Sequence, residues 1–540
     1  MLPDPASEVS WRQCRPAAYG AGVTEAGGDV PEAIKTALPG ASMWRRAPSA
    51  VEHMPYGRAL ALITSIGALL RFAFIARQSL GYDEDFSAVI LHQPIGRMID
   101  ILSRDSAPPL FYLLERPVVA LSDALGMASL GGPGGPVALR LVPVLAGIAL
   151  IPLLAALARR VGGDSAGLWA AVFAALAPTT MMLSGFARMY GLAAALTVAA
   201  ALLLWRAIER PSTARWAAYI AAGAAAVWTD YFSAVALAGI FVAALWLRPE
   251  RRPAAVAFAA TALAVASIVP WLFVARAQFE HAGQGFWVPP LSPTMVGGTL
   301  AQLFMGPPVD NGLPFGTALI ALQDVAVLAG FAALAGAFIA WRRLGADGRK
   351  AAVFCLLVSS GVALLAVVSL WRPLLDARYA SVMWLPLFAL AGVGLAAMPR
   401  RVAGILVAAL AVPALALSVA TTHPATSSLV PALDAEVSQR DVVATTWNHY
   451  LILLDQADTT VQTRLHVLTP DDPPWYVGTN AYPPGAVIHE VPADVIANHG
   501  RVFWIADPGV TPPGLPAGYH STQNRCAVLV CLTIYGPAGG

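Results

Sequence analysis

The chain has 540 residues, 57% of them hydrophobic and only 12% charged. Soluble domains carry about 25% charged residues, and several apolar runs here reach the roughly 20 residues needed to cross a bilayer; a soluble enzyme is therefore excluded. The net charge of +2 comes from basic residues scattered between apolar runs rather than from a basic block, which argues against a nucleic-acid-binding surface.

Residues 1–55 are rich in Pro, Gly and Ala and show no hydrophobic periodicity. They read as a disordered cytoplasmic tail, with a start at Met43 or Met54 as the competing reading. Arginine favours the cytoplasmic side of a bilayer. Arg45, Arg46 and Arg58 precede the first span, Ala59–Ala76, and put the N-terminus inside. The second span, Val137–Ala158, ends at Arg159 and Arg160, so residues 77–136 form one long outer loop. That loop contains the apolar stretch Pro109–Leu121, too short to span and interrupted by Glu115 and Arg116; it reads as an interfacial helix.

Later spans alternate consistently. They are Ala166–Leu183, Tyr190–Trp205, Trp216–Thr229, Ser233–Leu247, Ala254–Val274, one ending at Arg342 and Arg343, Ala351–Trp371, Ala380–Met398 and Val402–Ala420. The total is about eleven spans, with every arginine pair inside and the C-terminus outside. Asp324 reads as part of an interfacial turn before the eighth. The core, residues 56–422, is all-α. Residues 423–540 are polar and Pro-rich, with β-like runs at Val442–Thr446, Val502–Ile505 and Ala527–Ile534. They read as a small extracytoplasmic α/β or mainly β domain.

Among the four cysteines, Cys14 lies in the tail and Cys355 in an apolar run. Cys526 and Cys531 are either a disulfide, if that end is periplasmic, or two buried thiols. No His, Cys, Asp and Glu set has metal-ligand spacing, so no metal or cofactor site is assigned. His92 and His281 read as structural or solvated.

The topology sorts the unusual polar residues onto one side. Asp83, Glu84, Asp85 and Asp105 lie in the first outer loop, Arg71 near the outer end of the first span and Arg140 at the start of the second. Arg188, Tyr190, Asp230, Asp376, Arg378 and Tyr379 sit at other outer ends. A charge inside the membrane costs about 2.5 kcal/mol or more, so these groups need a cavity, a partner or an interface. Arg71 could instead snorkel to the headgroups, and Arg140 and Arg188 could pair with Asp105 or Asp230.

Several segments in order carry a resemblance: Gly81-Tyr82-Asp83-Glu84, Pro108-Pro109-Leu110-Phe111-Tyr112, Leu139-Arg140-Leu141-Val142-Pro143, Ala187-Arg188-Met189-Tyr190, Phe286-Trp287-Val288-Pro289-Pro290 and Arg378-Tyr379. The series resembles the bacterial membrane glycosyltransferases of the GT-C class, related to protein O-mannosyltransferases and the lipid A aminoarabinose transferase. The likeness covers about residues 58 to 400. It departs at Ala107, where members often have His, and at Trp228-Thr229-Asp230-Tyr231, where Asp230 replaces a neutral group.

The resemblance implies a polyprenyl-phosphate sugar donor and catalysis at the outer face of the inner membrane, with a lipid, glycan or protein acceptor. An acceptor hydroxyl needs a base beside it. Asp83 or Glu84 fits, and the resemblance favours Asp83 with Glu84 in support. Asp105 is a second carboxylate or holds an arginine in place. Arg378, Arg140 and Arg188, with Arg71, are candidates for the donor phosphate, and Tyr190 and Tyr379 would add hydrogen bonds. The prenyl chain would lie between the spans and the interfacial helix. A direct displacement inverts the anomeric centre. The alternative is a transporter or flippase of a lipid-linked sugar, but such sites lie near the midplane of repeated halves, and neither feature is evident.

Overall fold

A computed structural model describes residues 54–78, 80–126, 135–282, 287–309, 313, 315–420 and 426–537, and residues 55–540 form one compact unit. Residues 1–53 of the expected tail, with Cys14, lie outside the described residues, as do Phe286 and the side chain of His281.

Helix α1 is Tyr56–Phe74. The loop expected as the first outer one is itself helical: α2 (Tyr82–Leu91), α3 (Ile95–Arg104), α4 (Leu110–Ala124) and α5 (Pro136–Leu139). The short apolar stretch is thus α4, as expected, but Glu115 on it is fully buried rather than at a surface. Arg116 explains the turn after α2, because its Nη1 donates to the Leu91 and Gln93 carbonyls at 2.8 and 2.7 Å and satisfies orphan acceptors at the helix end.

Helix α6 runs Leu141–Leu176, but Gly162 and Gly163 break it, Gly163 with φ 76°. That left-handed backbone is open to glycine without a Cβ clash; the second and third expected spans are the two arms of this kinked element. There follow α7 (Pro178–Ser184), α8 (Tyr190–Glu209), α9 (Thr213–Thr229), α10 (Ser233–Leu247), α11 (Arg251–Ala266), α12 (Val269–Val274), α13 (Arg276–Ala282), α14 (Pro293–Met305) and α15 (Gly316–Ala340). The bundle closes with α16 (Ala346–Ser359), α17 (Gly361–Val368), α18 (Ala377–Trp384), α19 (Pro386–Ala397) and α20 (Arg400–Val419). Asp324, expected in a turn, lies within α15.

Seven helices among the described residues are long and apolar enough to cross a membrane, or eight if α18 and α19, bent by 62°, count as one. The shorter α9 and α10 occupy the fifth and sixth expected spans. The chain is a multi-pass membrane protein. Its outward faces carry exposed Leu69, Phe258, Phe273, Phe338 and Ile405, which suit lipid and not water. Inside, helices approach through small residues, as membrane helices do. A Cβ on Gly394 would lie 1.7 Å from the Ala333 carbonyl oxygen, so α19 and α15 pack backbone to backbone only with glycine there.

The C-terminal region carries α21 (Val430–Glu436), β1 (Val442–Thr445), α22 (Trp447–Gln456), α23 (Thr459–Arg464), β2 (Leu465–Leu468), β3 (Val487–Ile488), α24 (Ala493–Ala497), β4 (Val502–Ala506), β5 (Tyr519–Ala527) and β6 (Val530–Pro537). The strands form one sheet in the order β3-β2-β1-β4-β6-β5. The first four are parallel and β6 and β5 antiparallel, so the region is α/β. The run expected as one strand over Ala527–Ile534 is instead the tip of a hairpin. Leu529 turns it with φ 57°, and Cys526 and Cys531 form a disulfide across it. This region meets the first outer loop: Tyr82 donates to the Val477 carbonyl, and Asn480 Nδ2 donates to the Arg104 carbonyl at 2.9 Å.

Candidate active site

Helix α2 follows its N-cap residue Gly81, and its first turn holds Asp83, Glu84 and Asp85. Negative groups there complement the N-terminal end of the helix dipole. At a pitch of 3.6 residues per turn the three side chains diverge, and the structure gives each a different fate.

Glu84 points inward and is fully buried. Its Oε1 accepts from Arg140 Nε and the Ala187 N–H, each at 2.8 Å. Its Oε2 accepts from Arg140 Nη2 at 2.7 Å and the Gly81 N–H at 3.1 Å. Arg140 Nη1 donates to the Ile75 and Gln78 carbonyls, each at 2.9 Å. Burial alone would raise the Glu84 carboxyl, but the Arg140 charge and these donors hold it below its ordinary range. The pair ties together the end of α1, the start of α2, the start of α6 and the segment before α8. Arg140 thus pairs with Glu84, and not with Asp105 or Asp230.

Asp83 points to open space. Its Oδ2 accepts from Arg378 Nη1 at 2.6 Å. Arg378 is placed by the N-cap of α18, where Asp376 Oδ1 accepts the Arg378 N–H at 2.8 Å. The guanidinium lies over the Trp287 ring, 4.5 Å from its centroid, a cation–π contact. Trp287 Nε1 donates to Tyr379 OH at 3.2 Å, and Phe232 stacks on Tyr379 at 4.4 Å.

The Asp83–Arg378 pair is a wall shared by two spaces. On one side is a polar pocket of about 50 Å³, lined by Asp105, Ser106, Arg188, Tyr190 and Tyr379 among others. Arg188 is buried there, 5.6 Å above the Phe86 ring, and its Nε has no hydrogen-bond partner among the described residues. Asp105 Oδ2 likewise has none. Burial pushes the Asp105 carboxyl up, and the Arg188 charge opposes this. On the other side is a cavity of about 760 Å³ whose apolar wall includes Phe74, Met181, Met182, Phe186 and Leu417. The lining comes from α1, α2, α7, α14, α18, α20 and α22; no residue of α4 is among it, so the helix expected to be interfacial does not border this space.

Arg71 also borders the large cavity, but its donors reach inward: Nε to Ser184 Oγ at 2.8 Å, and the terminal nitrogens to the Gly67, Ala174 and Ala175 carbonyls. It joins α1 to α6 and α7 rather than snorkelling. Asp83, Asp105, Arg188, Tyr190, Arg378 and Tyr379 are thus brought together; Glu84, Arg140 and Arg71 also border the large cavity, but their polar atoms bond to internal partners. Asp230 caps α9, with Oδ1 accepting the Phe232 N–H at 2.7 Å, and burial pushes its carboxyl up to about 6.

Sequence reasoning missed Trp287 as the platform under Arg378, and Trp447, Asn448 and Tyr476 as cavity wall. A signal existed for Trp447 and Asn448, which directly follow an expected strand, where open α/β sheets place their sites. Among the described residues no group of three or more His, Cys, Asp or Glu could hold a metal ion.

Residues 116–273 match the family model described as dolichyl-phosphate-mannose-protein mannosyltransferase. The segment holds Arg140, Arg188 and Tyr190, but not Asp83 or Arg378. The apo structure of ArnT from Cupriavidus metallidurans superposes with a TM-score of 0.57 at 14% identity, covering 89% of this chain and 98% of that one. The same protein bound to undecaprenyl phosphate gives 0.53 at 14% identity, covering 90% and 99%. The chain has the fold of ArnT. The resemblance read over about residues 58 to 400 is borne out as a shared fold, and that fold extends over 89–90% of the chain. No curated protein sequence matches the chain.

Proposed function

We propose that this protein is an inverting membrane glycosyltransferase that moves a hexose or pentose from a polyprenyl-phosphate donor to an acceptor hydroxyl, at the outer face of the inner membrane. The observation that carries the reading is the Asp83–Arg378 ion pair between a polar pocket and a large, partly apolar cavity. ArnT, whose fold the chain shares, is known bound to undecaprenyl phosphate, which supports the donor class.

In this reading the prenyl chain lies along the apolar wall of the large cavity. The donor phosphate takes Arg378, with Arg188, Tyr190 and Tyr379 completing its contacts, because guanidinium binds phosphate oxygens bidentately. Drawing Arg378 to the phosphate frees the Asp83 carboxylate. The acceptor oxygen then attacks the anomeric carbon as the carbon–oxygen bond to the phosphate breaks. The hydroxyl proton passes to Asp83, and polyprenyl phosphate leaves with the electron pair. Stabilising that developing charge is the largest task for the site. Asp105 orients Arg188. Glu84, Arg140 and Arg71 hold the scaffold instead of touching substrate. Residues 423–540 form the outward region over the site.

The experiment is sugar release and transfer by purified protein in nanodiscs, with polyprenyl-phosphate mannose, arabinose and aminoarabinose as donors. Turnover by wild type, lost in Asp83→Asn and Arg378→Ala, is the expected result. Donor-lipid flux across proteoliposomes with no turnover would replace this reading by a transporter or flippase.

A further inference from the structure

The C-terminal sheet presents a second surface to the same cavity. From β1 the chain passes through α22 and α23 to β2 and on to β3, then crosses back to place β4 on the other side of β1. Such a switch point leaves a crevice outside the carboxyl ends of the two strands, and ligands of open α/β sheets bind there. Here the crevice holds Trp447 and Asn448 after β1 and Asp507 after β4.

These three residues are held in place. Asn448 Nδ2 donates to both Asp507 oxygens at 3.3 Å. The buried His449 ring contacts Thr426 Oγ1 at 2.9 Å on one side and Asp507 Oδ1 at 3.2 Å on the other. The Asp507 side chain remains 52% exposed. Trp447 stands edge-on to Tyr82, ring centroids 5.5 Å apart, and stays 40% exposed. Trp447 and Asn448 line the large cavity together with Asp83 and Arg378.

We propose that this crevice is the acceptor subsite and that it takes a carbohydrate. The word acceptor rests on the glycosyl-transfer reading; the sugar site itself does not. An exposed indole offers an apolar face for the C–H side of a sugar ring. The Asn448 amide and Asp507 carboxylate offer a donor and acceptors to adjacent hydroxyls. An aromatic wall with a few convergent polar groups suits a small-molecule site. Tyr82, against which Trp447 packs, directly precedes Asp83, so a sugar on the indole lies beside the residue that takes its hydroxyl proton. A peptide acceptor docks best along a sheet edge, whereas β1 and β4 are central strands.

The test is binding of free mannotriose, maltotriose and arabinotriose to the full chain, without donor, in a detergent lacking a sugar headgroup, read by saturation-transfer NMR. At least one sugar binds saturably, Trp447→Ala and Asp507→Ala each weaken it by about tenfold or more, and Trp447→Phe retains most of the affinity. Absence of binding by all three sugars, equal binding by Trp447→Ala, or displacement by a serine-rich peptide but not by sugar overturns the proposal. Because binding is read without donor, its failure is distinct from a failure of sugar release by the same preparation.

Discussion

Asp83 and Glu84 are neighbours in the chain, yet each forms an ion pair of a different kind. Glu84 and Arg140 have side chains 1% and 2% exposed, and both oxygens of Glu84 are hydrogen-bonded twice. Asp83 and Arg378 are each 35% exposed and border two cavities. The first pair also borders the large cavity, but its polar atoms are satisfied by internal partners and it joins several chain segments; the second is open to exchange. A single step along the helix, about 100° around its axis, thus separates a structural carboxylate from one available for chemistry, which the acidic residue type alone does not reveal.

Substitutions should split the two pairs. Asp83→Asn has the largest expected effect, a fall in kcat of about 10²–10⁴-fold, the usual worth of a general base, with little change in the thermal midpoint in detergent. Glu84→Gln leaves the Arg140 charge buried and poorly balanced and should cost about 3–5 kcal/mol of stability, seen as a lower midpoint before any kinetic effect. Arg378→Ala should lower kcat about 10²–10³-fold, as loss of a donor to a developing anion does, with Arg378→Lys restoring only part. The smallest effects belong to Asp85 and Glu115. Their carboxyl oxygens have no hydrogen-bond partner among the described residues, and burial pushes both well above the usual range, helped by Asp455 and Glu84 at Asp85 and by Glu84 at Glu115.

The pH dependence separates the same groups. Asp85 and Glu115 keep protons that the unfolded chain releases near pH of about 4, so their contribution to stability falls as pH rises from there through their raised values. Asp85→Asn and Glu115→Gln should flatten that decline and cost little at neutral pH, measured as midpoint against pH. Glu84 has the opposite sign. Its contribution is present above about 4 and is lost as pH falls toward its lowered value; Glu84→Gln should remove this acid limb.

Much of the bundle was legible because arginines flank apolar runs, as at Arg159–Arg160 and Arg342–Arg343. Gly162–Gly163 fell between two such runs, and the structure breaks the helix there. Asp83 and Arg378 could be named from their outer positions and the motif order, but their contact joins residues 295 apart in sequence, and only packing makes it. For the same reason Arg140 could not be assigned to Glu84 over Asp105 or Asp230. Glu115 misled because a charge in a short apolar stretch normally marks a surface. The hairpin tip misled because Val528 and Leu529 are apolar, while turns are usually signalled by Gly, Asn or Asp.

The most direct test of the central claim is an experimental structure of the wild-type protein with polyprenyl phosphate bound in nanodiscs. The account predicts the phosphate within hydrogen-bond distance of Arg378 and Arg188, with Arg378 withdrawn from Asp83 and the Glu84–Arg140 pair unchanged. A phosphate held by Arg71 or Arg140, with Arg378 still on Asp83, would contradict it.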